Sequence, residues 1–600
     1  MNIKTLLLAS GALAVLTASC ANDRQANTYC NPLDIDYSYM VYNSDQNLSY
    51  RSGADPAVAE FRGEYYMFVT RSHGYWHSKD LSKWEFVEPK SIWYPQGCNA
   101  PAARNYKDSL LFVCGDPSGA MSVLYSDDPA SGVWKASPLI LHNLVDPDLF
   151  IDEDSRAYIY WGSSNVFPIK GKELDMHDRF KIIGPEVELL NTDSSVHGWE
   201  RFGENHSDSR IAPYIEGPWM SKHNGKYYLQ YAAPGTEFNV YGDGVYVGDS
   251  PLGPFEYQAH NPFCYKPGGF INGAGHGCTV KDTEDRWWHF ATMSLSAVVN
   301  WERRLCMYPT FFDEDGILYS DTSYGDYPHT APSVPGSKGE FKSWFLLSLE
   351  KPVVASSYAE GSAALAEGFA EWNRPKTSEN FKPQNLTDEN CKTYWLAKTN
   401  SEKEYFTIDL EDEATIYAIQ INYYDHYAGL YGRPEGLHHR FIIEGSLDGK
   451  KWFKIEDRSR SQKDAPNAYI ELSKARKARF IRYRNVKVPS ESLAISEFRV
   501  FGKGSGNAPG KVKNFRAIRA QDRREALLTW DKVEEAQGYN IRWGIAPEKM
   551  YSSWLIYAKD LGEKCEFKIP SLSIDQDYYF SIESFNTAGI SEPSAPTKTE

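Results

Sequence analysis

The chain has 600 residues, which at roughly 150 residues per domain predicts about four compact units rather than one small module. Lysine and arginine number 64 against 80 aspartates and glutamates, and the net charge of −16 argues against nucleic acid as a partner, because that binding depends on neutralising phosphates. Aromatic residues make up 14% of the chain, beside 44 glycines and 33 prolines, a composition that favours short strands over long helices. We therefore expect a mostly β protein.

The first 20 residues have the order of an export signal. An apolar run from Leu6 to Leu16 follows a basic start, is too short for a stable membrane span, and leads through small residues to Cys20. This ending resembles the lipobox of bacterial lipoproteins, although Thr17 stands where leucine is usual. We expect a lipoprotein signal peptide over 1–20, a lipid on Cys20 as the sole membrane contact, and a location in the periplasm or on the outer-membrane surface. An ordinary cleaved signal, and a secreted protein, is the alternative.

One short phrase recurs between residues 28 and 345: a turn, an alternating strand, a polar turn and a strand rich in aromatic residues. The copies start near residues 55, 99, 146, 216 and 276, at intervals that fit four-stranded blades with insertions before the later ones. Five copies predict a five-bladed β-propeller over 28–345. Because the innermost strand of each blade faces the axis, four side chains should meet in one central cavity: Asp55, Asp146, Glu216 and His276.

Three carboxylates in one cavity suit the cleavage of a glycosidic bond. Inversion requires one carboxylic acid that protonates the leaving oxygen and one carboxylate that deprotonates water. A third carboxylate can raise the pKa of the acid, because nearby negative charge disfavours ionisation. Glu200 and Glu204 rival Glu216 as the acid, but they lie in a polar segment, 193–210, rather than at a strand start. We expect that segment to wall the pocket.

Five phrases in this part of the chain resemble glycoside hydrolase family 43, whose members are five-bladed propellers that hydrolyse arabinosides, xylosides and some galactosides. The phrases are Cys30-Asn-Pro-Leu with Asp55-Pro-Ala-Val, Ser78-Lys-Asp-Leu-Ser-Lys-Trp84, Asp146-Pro-Asp-Leu-Phe-Ile-Asp, Glu216-Gly-Pro-Trp and Gly275-His-Gly. The resemblance makes Asp55 the general base, Asp146 the pKa modulator and Glu216 the general acid. It also places His276 on the axis, where Ca²⁺ or water can support the site, and implies no organic cofactor.

Further groups are candidates for binding the sugar. The resemblance implies an arginine of the last blade, Arg303 or Arg304, and the sequence does not distinguish between the two. His73, Tyr75 and Trp76 of the first blade could stack on the sugar or could merely pack the blade.

Residues 350–503 resemble a discoidin-like β-sandwich (coagulation-factor type C), the fold of family 32 carbohydrate-binding modules. The motifs include Asn385-Leu-Thr-Asp-Glu-Asn-Cys-Lys-Thr-Tyr-Trp395 and Ala494-Ile-Ser-Glu-Phe-Arg-Val-Phe-Gly502. The resemblance implies a structural Ca²⁺ held by Asp388 and Glu497, both of which offer the oxygen donors that Ca²⁺ prefers. Tyr424 to Tyr427 and Tyr431 to Arg433 are candidate glycan-binding groups, or else the module only buttresses the propeller.

After a Gly/Ser/Asn/Pro linker, residues 510–600 resemble a fibronectin type III domain, a fold that usually acts as a spacer. Tyr578 follows Leu572 by six residues, the spacing of a tyrosine corner. The complete expectation is an all-β chain of three units.

We expect an inverting exo-glycosidase that releases a terminal pentose, an α-L-arabinofuranosidase acting on side chains of plant cell-wall polysaccharide. A β-xylosidase is the near alternative, followed by an endo-arabinanase or galactan-active hydrolase. A non-catalytic glycan-binding surface lipoprotein is the competing class, although binding alone would not require three acids at blade starts.

Overall fold

The computed structural model describes residues 27–600 except 44–47, 95–97, 116–119, 138–140, 143, 177, 179, 296–298, 300 and 364–378. The expected signal peptide and lipidated Cys20 lie outside the described residues. Strands dominate the described part. Its helical segments are short 3₁₀ turns: Pro129–Ser131, Gly198–Glu200, Glu204–His206, Pro383–Leu386 and Ala558–Asp560. Within these ranges no helix has both the length and the apolar character needed to cross a membrane.

Five antiparallel four-stranded sheets follow one another along the chain and form the propeller. The first strands of neighbouring sheets contact each other in a closed ring, and the fifth returns to the first. The strands are Ala57–Phe61, Glu64–Phe68, Tyr75–Ser78 and Glu85–Val87 in blade 1; Asn99–Tyr106, Ser109–Gly115, Leu124–Ser126 and Lys135–Ala136 in blade 2; Asp148–Ile151, Ala157–Trp161, Ile169–Asp175 and Lys181–Leu190 in blade 3; Glu216–His223, Lys226–Ala233, Gly242–Gly248 and Phe255–Tyr257 in blade 4; and Asn272–Lys281, Trp287–Ser294, Arg303–Phe312 and Leu318–Ser320 in blade 5. The predicted five-bladed propeller is confirmed.

Short strand pairs complete this region. Thr28–Tyr29 pairs with His329–Thr330, Ser38–Asn43 pairs with Leu48–Ser52, and Ala120–Met121 pairs with Leu141–His142. Cys264–Tyr265 adds to the third strand of blade 4. The hairpin of Ser38–Asn43 and Leu48–Ser52 leads directly into Asp55, so its anchoring bears on the position of that residue.

The second unit is one antiparallel sheet curled around a single hydrophobic core. Two strands of 20 and 21 residues form its centre, interrupted by β-bulges. The core includes the fully buried side chains of Trp395, Phe406, Ile481 and Phe498. The strands are Phe345–Leu346, Val353–Ala355, Trp395–Leu396, Tyr405–Tyr424, Arg440–Ser446, Trp452–Asp457, Asn467–Lys487 and Ala494–Lys503.

The C-terminal unit packs a three-stranded sheet against a four-stranded one. The strands are Arg516–Arg519, Ala526–Trp530 and Cys565–Ile569, and Ser552–Tyr557, Gly538–Gly544, Tyr579–Phe585 and Thr597–Lys598. The hydroxyl oxygen of Tyr578 accepts a hydrogen bond from the Ser573 amide at 3.1 Å, the contact expected of a tyrosine corner. The fibronectin type III assignment itself stays a prediction.

All three units meet at one buried charged cluster. Arg499 of the second unit forms hydrogen bonds of 2.7 and 3.2 Å with Glu389, whose carboxylate also accepts a hydrogen bond from Tyr557 of the C-terminal unit. The propeller contributes Asp326 and Lys266, which pair at 3.3 Å. We call these two acids and two cations the junction cluster. It shows that the second and third units are packed onto the propeller rather than only tethered to it.

Candidate active site

The first strands of the blades begin with kinked backbone. Asp55, Asp146 and His276 adopt left-handed conformations with φ of 55°, 50° and 47°. In blades 2 and 4, Ala100 and Gly217 occupy the corresponding places with φ of 41° and 60°. Residues other than glycine hold this conformation only when their surroundings impose it. The kinks therefore belong to the blade repeat, and three of them carry functional side chains to the axis.

Glycines in the site motifs make room for these side chains. A β-carbon on Gly217 would lie 2.6 Å from the imidazole ring of His276. A β-carbon on Gly277 would lie 2.3 Å from the carbonyl oxygen of Phe290. Neither contact is sterically allowed, so the Glu-Gly-Pro and Gly-His-Gly phrases require glycine for packing around the site as well as for backbone conformation.

Asp55 is held as a carboxylate by positive charge and hydrogen bonds. Its Oδ1 lies 3.5 Å from His276 Nδ1 and 3.6 Å from Arg303 Nη1. Its Oδ2 accepts a hydrogen bond from Thr70 at 2.6 Å, and its backbone N–H donates to Thr292 Oγ1 at 2.8 Å. Burial alone would raise the pKa of Asp55, but the charges of His276 and Arg303 outweigh burial and lower the pKa below its usual value. Asp55 is therefore ionised at neutral pH.

Asp146 and Glu216 form a close acidic pair beside the same histidine. Asp146, Glu216 and His276 each offer an atom within 4.8 Å of the others. Burial and the charge of Glu216 raise the pKa of Asp146 to about 7. Glu216 accepts hydrogen bonds from Tyr241 at 2.5 Å and from Ser163 at 2.9 Å. Because two adjacent carboxylates resist double ionisation, the pair retains one proton at a pH where an isolated carboxyl would lose it.

His276 is oriented from behind by Asp243. The carboxylate of Asp243 accepts the backbone N–H groups of His276 and Gly277 at 2.8 and 2.9 Å and also contacts His289 at 2.9 Å. Burial would lower the pKa of His276, but the surrounding carboxylates, led by Asp55, raise it above its usual value. The imidazole thus adds positive charge where the acids converge.

The two candidate arginines point to opposite sides of their strand. Arg303 points towards Asp55, and its Nη1 also donates to Thr236 Oγ1 at 3.3 Å, while its buried Nε has no hydrogen-bond partner among the described residues. The expectation that Arg304 could face the site is wrong. Arg304 is completely buried on the opposite side of the strand, where it donates to Asn467 of the second unit at 2.9 Å.

The structure also distinguishes between the aromatic candidates of blade 1. Trp76 is only 1% exposed, packs edge-on against Phe86 and donates its indole N–H to Asp36 at 2.7 Å. It cannot stack on a sugar, and that expectation is corrected: the indole belongs to the packing of the blade. His73 lies in the connection between the second and third strands, where it contacts Tyr431 of the second unit.

The residues that sequence reasoning missed lie in the connections between second and third strands of the blades. Thr70, Ser163 and Tyr241 all occupy these connections and hydrogen-bond to the site carboxylates. Glu237, in the connection of blade 4, is a further acid, and burial together with Glu216 raises its pKa to about 7. The recurrence of this connection in every blade is the signal that could have identified them.

The segment 193–210 packs against both blade 4 and the C-terminal unit, and its expected role as a wall of the pocket stays a prediction. The Gly198 N–H donates to the Leu572 carbonyl at 2.9 Å, and Arg201 bonds Glu525 at 3.1 Å. Glu200 is fully buried and accepts a hydrogen bond from Tyr231 at 2.5 Å. Glu200 is therefore sequestered from the convergent carboxylates.

The two residues expected to hold calcium lie close together in the second unit. Glu497 is completely buried, and its Oε1 has no hydrogen-bond partner in the part of the chain that the structure describes, while its Oε2 accepts the Glu389 N–H at 2.9 Å. Asp388 accepts a hydrogen bond from Thr393 at 2.6 Å, and burial raises its pKa to about 6. An unpaired buried carboxylate oxygen beside a second acid fits the donor set of a Ca²⁺ site. In the propeller, Asp146, Glu216 and His276 also form a group that could hold a cation.

Family comparisons agree with this architecture. Residues 48–318 match the family Glycosyl hydrolases family 43, and residues 370–498 match the F5/8 type C domain. The chain therefore contains a family 43 glycoside hydrolase domain followed by a discoidin-like domain, and the protein is a glycoside hydrolase. The second unit is called the discoidin-like domain below.

Individual relatives are distant. Xylosidase/arabinosidase 43A of Humicola insolens is 28% identical over 265 residues, covering 39% of this chain and 75% of the relative. Arabinoxylan arabinofuranohydrolase of Paenibacillus polymyxa is 26% identical over 324 residues, covering 43% of this chain and 47% of the relative. Two other relatives are covered over 62% and 51% of their lengths. A solved structure described as a glycoside hydrolase aligns with 20% identity and a TM-score of 0.43, covering 75% of this chain and 97% of that one.

Proposed function

We propose that the protein is an inverting, exo-acting glycosidase that releases terminal pentose, an α-L-arabinofuranosidase acting on side chains of plant polysaccharides. The observation that carries the proposal is the convergence of Asp55, Asp146 and Glu216 around His276 and Arg303. Three acids and two cations from distant parts of the chain share one pocket. Binding of a neutral sugar alone would not require this arrangement.

The proposed reaction assigns a separate task to each group. Asp55, held ionised by His276 and Arg303, accepts a proton from the attacking water. Glu216, oriented by Tyr241 and Ser163, delivers a proton to the departing glycosidic oxygen. The pKa of about 7 at Asp146 means that the acidic pair keeps one proton up to about that pH, and this shared proton reaches the glycosidic oxygen through Glu216. Each proton transfer contributes on the order of 10²- to 10⁴-fold to the rate.

The choice of sugar rests on the relatives. One is a xylosidase/arabinosidase and another an arabinoxylan arabinofuranohydrolase, so terminal arabinofuranose is proposed first. A β-xylosidase is the second candidate because the name of the first relative includes both activities. Arg303, whose Nη1 lies 3.6 Å from the proposed base, is the group that we assign to a hydroxyl of the bound sugar.

A screen of nitrophenyl glycosides followed by digestion of plant polysaccharides tests this proposal. Release of arabinose alone supports the arabinofuranosidase, release of xylose supports the xylosidase, and internal oligosaccharides would reveal endo action. Proton NMR of the first product tests inversion, because an inverting enzyme yields the opposite anomer. Binding without product release, equal in wild type and Asp55→Asn, would contradict catalysis and favour a glycan-capture protein.

We also propose that Asp388 and Glu497 hold a structural Ca²⁺ in the discoidin-like domain. Support comes from the unpaired Oε1 of Glu497. Ca²⁺ should raise the melting temperature of the chelator-treated wild type, because a ligand that binds only the folded state stabilises it. The Glu497→Gln variant should lose this response. An equal response in that variant would contradict the assignment.

Export and lipidation remain proposals based on the sequence of residues 1–20. Radiolabelled palmitate should be incorporated into the wild type when it is expressed in a bacterium that processes lipoproteins. The Cys20→Ala variant should take up none. Unlabelled but exported wild type would instead support an ordinary cleaved signal.

A further inference from the structure

A segment of the discoidin-like domain, residues 427–433, pairs with the propeller hairpin that leads to Asp55. Gly432 and Tyr39 exchange two backbone hydrogen bonds of 2.8 and 2.9 Å. The N–H of Leu430 donates to Ser49 at 2.9 Å. Its position relative to the propeller is therefore set by backbone contacts.

Charged and aromatic contacts strengthen this attachment. The guanidinium of Arg433 lies 3.4 Å from the ring centre of Phe86 and donates to Asp36. Just before the segment, Asp425 accepts a hydrogen bond from Arg51 of the propeller hairpin at 2.9 Å. Arg51 and Asp425 are buried, so the attachment is part of a packed interface.

Two tyrosines in this anchored segment nevertheless remain exposed. Tyr431 is 48% exposed and Tyr427 is 45% exposed. The ring of Tyr431 meets His73 edge to face, with ring centres 5.6 Å apart. Burial and the charge of Arg433 lower the pKa of His73, so its imidazole is neutral at neutral pH. A neutral imidazole beside an exposed tyrosine offers an apolar face and hydrogen-bonding groups together, which is the surface that a sugar ring needs.

This pair of rings is close to the reacting groups. His73 follows Thr70 by three residues, and Thr70 hydrogen-bonds to Asp55 at 2.6 Å. Three residues span at most about 11 Å of chain. A sugar chain with its terminal residue at Asp55 therefore has His73 and Tyr431 within reach of its next units.

We propose that His73 and Tyr431, flanked by Tyr427, form a polysaccharide-binding subsite shared by the propeller and the discoidin-like domain. The ligand is the neutral main chain of the substrate polysaccharide. An anionic chain would be repelled by the convergent acids of the pocket and by the net charge of −16. This inference rests on the proposed function, because it assigns the non-hydrolysed part of the same substrate.

Binding measurements in a Glu216→Gln background test the subsite without relying on turnover. Isothermal titration calorimetry with soluble arabinoxylan is compared for three additional changes: Tyr431→Ala, His73→Ala and both together. Tyr431→Ala should weaken binding about 3- to 10-fold, the loss of one aromatic contact. The double variant should lose less than the product of the two single losses, because both rings contact the same ligand. Tyr431→Phe should retain most of the affinity.

Tyr405→Ala is the matched control. Tyr405 is 40% exposed on the same domain but lies beside Arg482, away from the propeller contact. Its replacement should leave arabinoxylan affinity unchanged. Equal losses from Tyr405→Ala and Tyr431→Ala, or full affinity in the double variant, would overturn the subsite.

Kinetics separate failure of this inference from failure of the proposed function. With Tyr431→Ala in the otherwise wild-type enzyme, KM for arabinoxylan should rise several-fold more than KM for a nitrophenyl arabinoside, which has no main chain. An equal rise for both substrates would overturn the subsite while leaving the glycosidase assignment intact. If the wild type releases no sugar, the proposed function fails, and calorimetry still decides whether the two rings bind polysaccharide.

Discussion

The catalytic pocket and the junction cluster bury charged side chains in opposite ways. In the junction cluster, Arg499 and Lys266 match Glu389 and Asp326 one for one. The two cations outweigh burial at Asp326 and hold its pKa below its usual value, whereas at Glu389 burial prevails over Arg499 and raises the pKa.

In the pocket, the described residues provide two cations, His276 and Arg303, for three acids, Asp55, Asp146 and Glu216. Burial and this excess of negative charge raise the pKa of Asp146 to about 7. Buried acids that are matched by cations stabilise the assembly of the units, whereas an unmatched acid retains a proton that chemistry can use.

Glu216→Gln should abolish most of the hydrolytic activity. The amide cannot donate a carboxylic proton to the leaving oxygen, so hydrolysis of arabinoxylan should fall by about 10²- to 10⁴-fold. Sugar release is measured by chromatography, and circular dichroism checks the fold. Glu204→Gln, in the rival segment, should keep wild-type activity. Persistent turnover of natural linkages by Glu216→Gln would remove Glu216 from its proposed role.

Arg499→Met should lower the free energy of unfolding. Removing the cation leaves Glu389 and Asp326 buried near Lys266 alone, and loss of one partner from a buried pair costs about 3–5 kcal/mol of unfolding free energy. Urea denaturation measures this change. The matched control, Arg516→Met, removes an exposed pair with Glu600 and should cost no more than about 1 kcal/mol. Equal costs for the two variants would show that the junction cluster does not stabilise the assembly.

The pH dependence of kcat/KM should report the unmatched acid. Asp146 is protonated below about pH 7, so activity should fall as pH rises through 7, by about tenfold per unit once the proton is lost. The pKa of Asp55 is lowered below its usual value, because His276 and Arg303 outweigh burial, so the loss of activity at low pH should begin only below the range in which an ordinary aspartate is protonated. Initial rates between pH 3 and 9 check both limbs. A rate constant that holds to pH 9 would contradict the assignment of the proton to this acidic pair.

Asn467→Ala should have the smallest effect on chemistry. Asn467 holds Arg304, the chain neighbour of Arg303, so its loss should shift Arg303 slightly and lower kcat/KM by less than about 10²-fold. Asn485→Ala, a buried amide in the same strand that bonds only within its own domain, is the control. Both variants should be destabilised, and only the first should lose activity per folded molecule. Equal activities would show that the discoidin-like domain does not position Arg303.

The acids of the site could be predicted because each opens a repeated phrase. Once five copies predicted a propeller, the topology itself brought Asp55, Asp146 and Glu216 together. The choice between Arg303 and Arg304 could not be made, because neighbouring residues of a strand point to opposite faces and either face could have been the pocket. Only the packing of the discoidin-like domain against Arg304 decides the matter.

Aromatic residues were harder to interpret. Trp76 and its neighbours follow the alternating pattern of blade strands, in which most rings pack between sheets, so an exposed stacking ring is not distinguishable by pattern. Tyr241 and Ser163 lie in connections without a recognisable motif. The contact of His73 with Tyr431 joins residues more than 350 positions apart and follows only from the arrangement of the domains.

The kink at Ala100 has a practical consequence. Blade 2 has the same left-handed backbone at its strand start as blades 1, 3 and 5, yet it presents only a methyl group there. Its N–H donates to Thr70, which in turn bonds Asp55, so the position adjoins the proposed base. Position 100 thus has the same backbone geometry as the positions of Asp55, Asp146 and His276, but the proposed reaction does not use its side chain. Ala100→Asn, a residue that tolerates this backbone, is a starting point for introducing a new polar contact to the bound sugar.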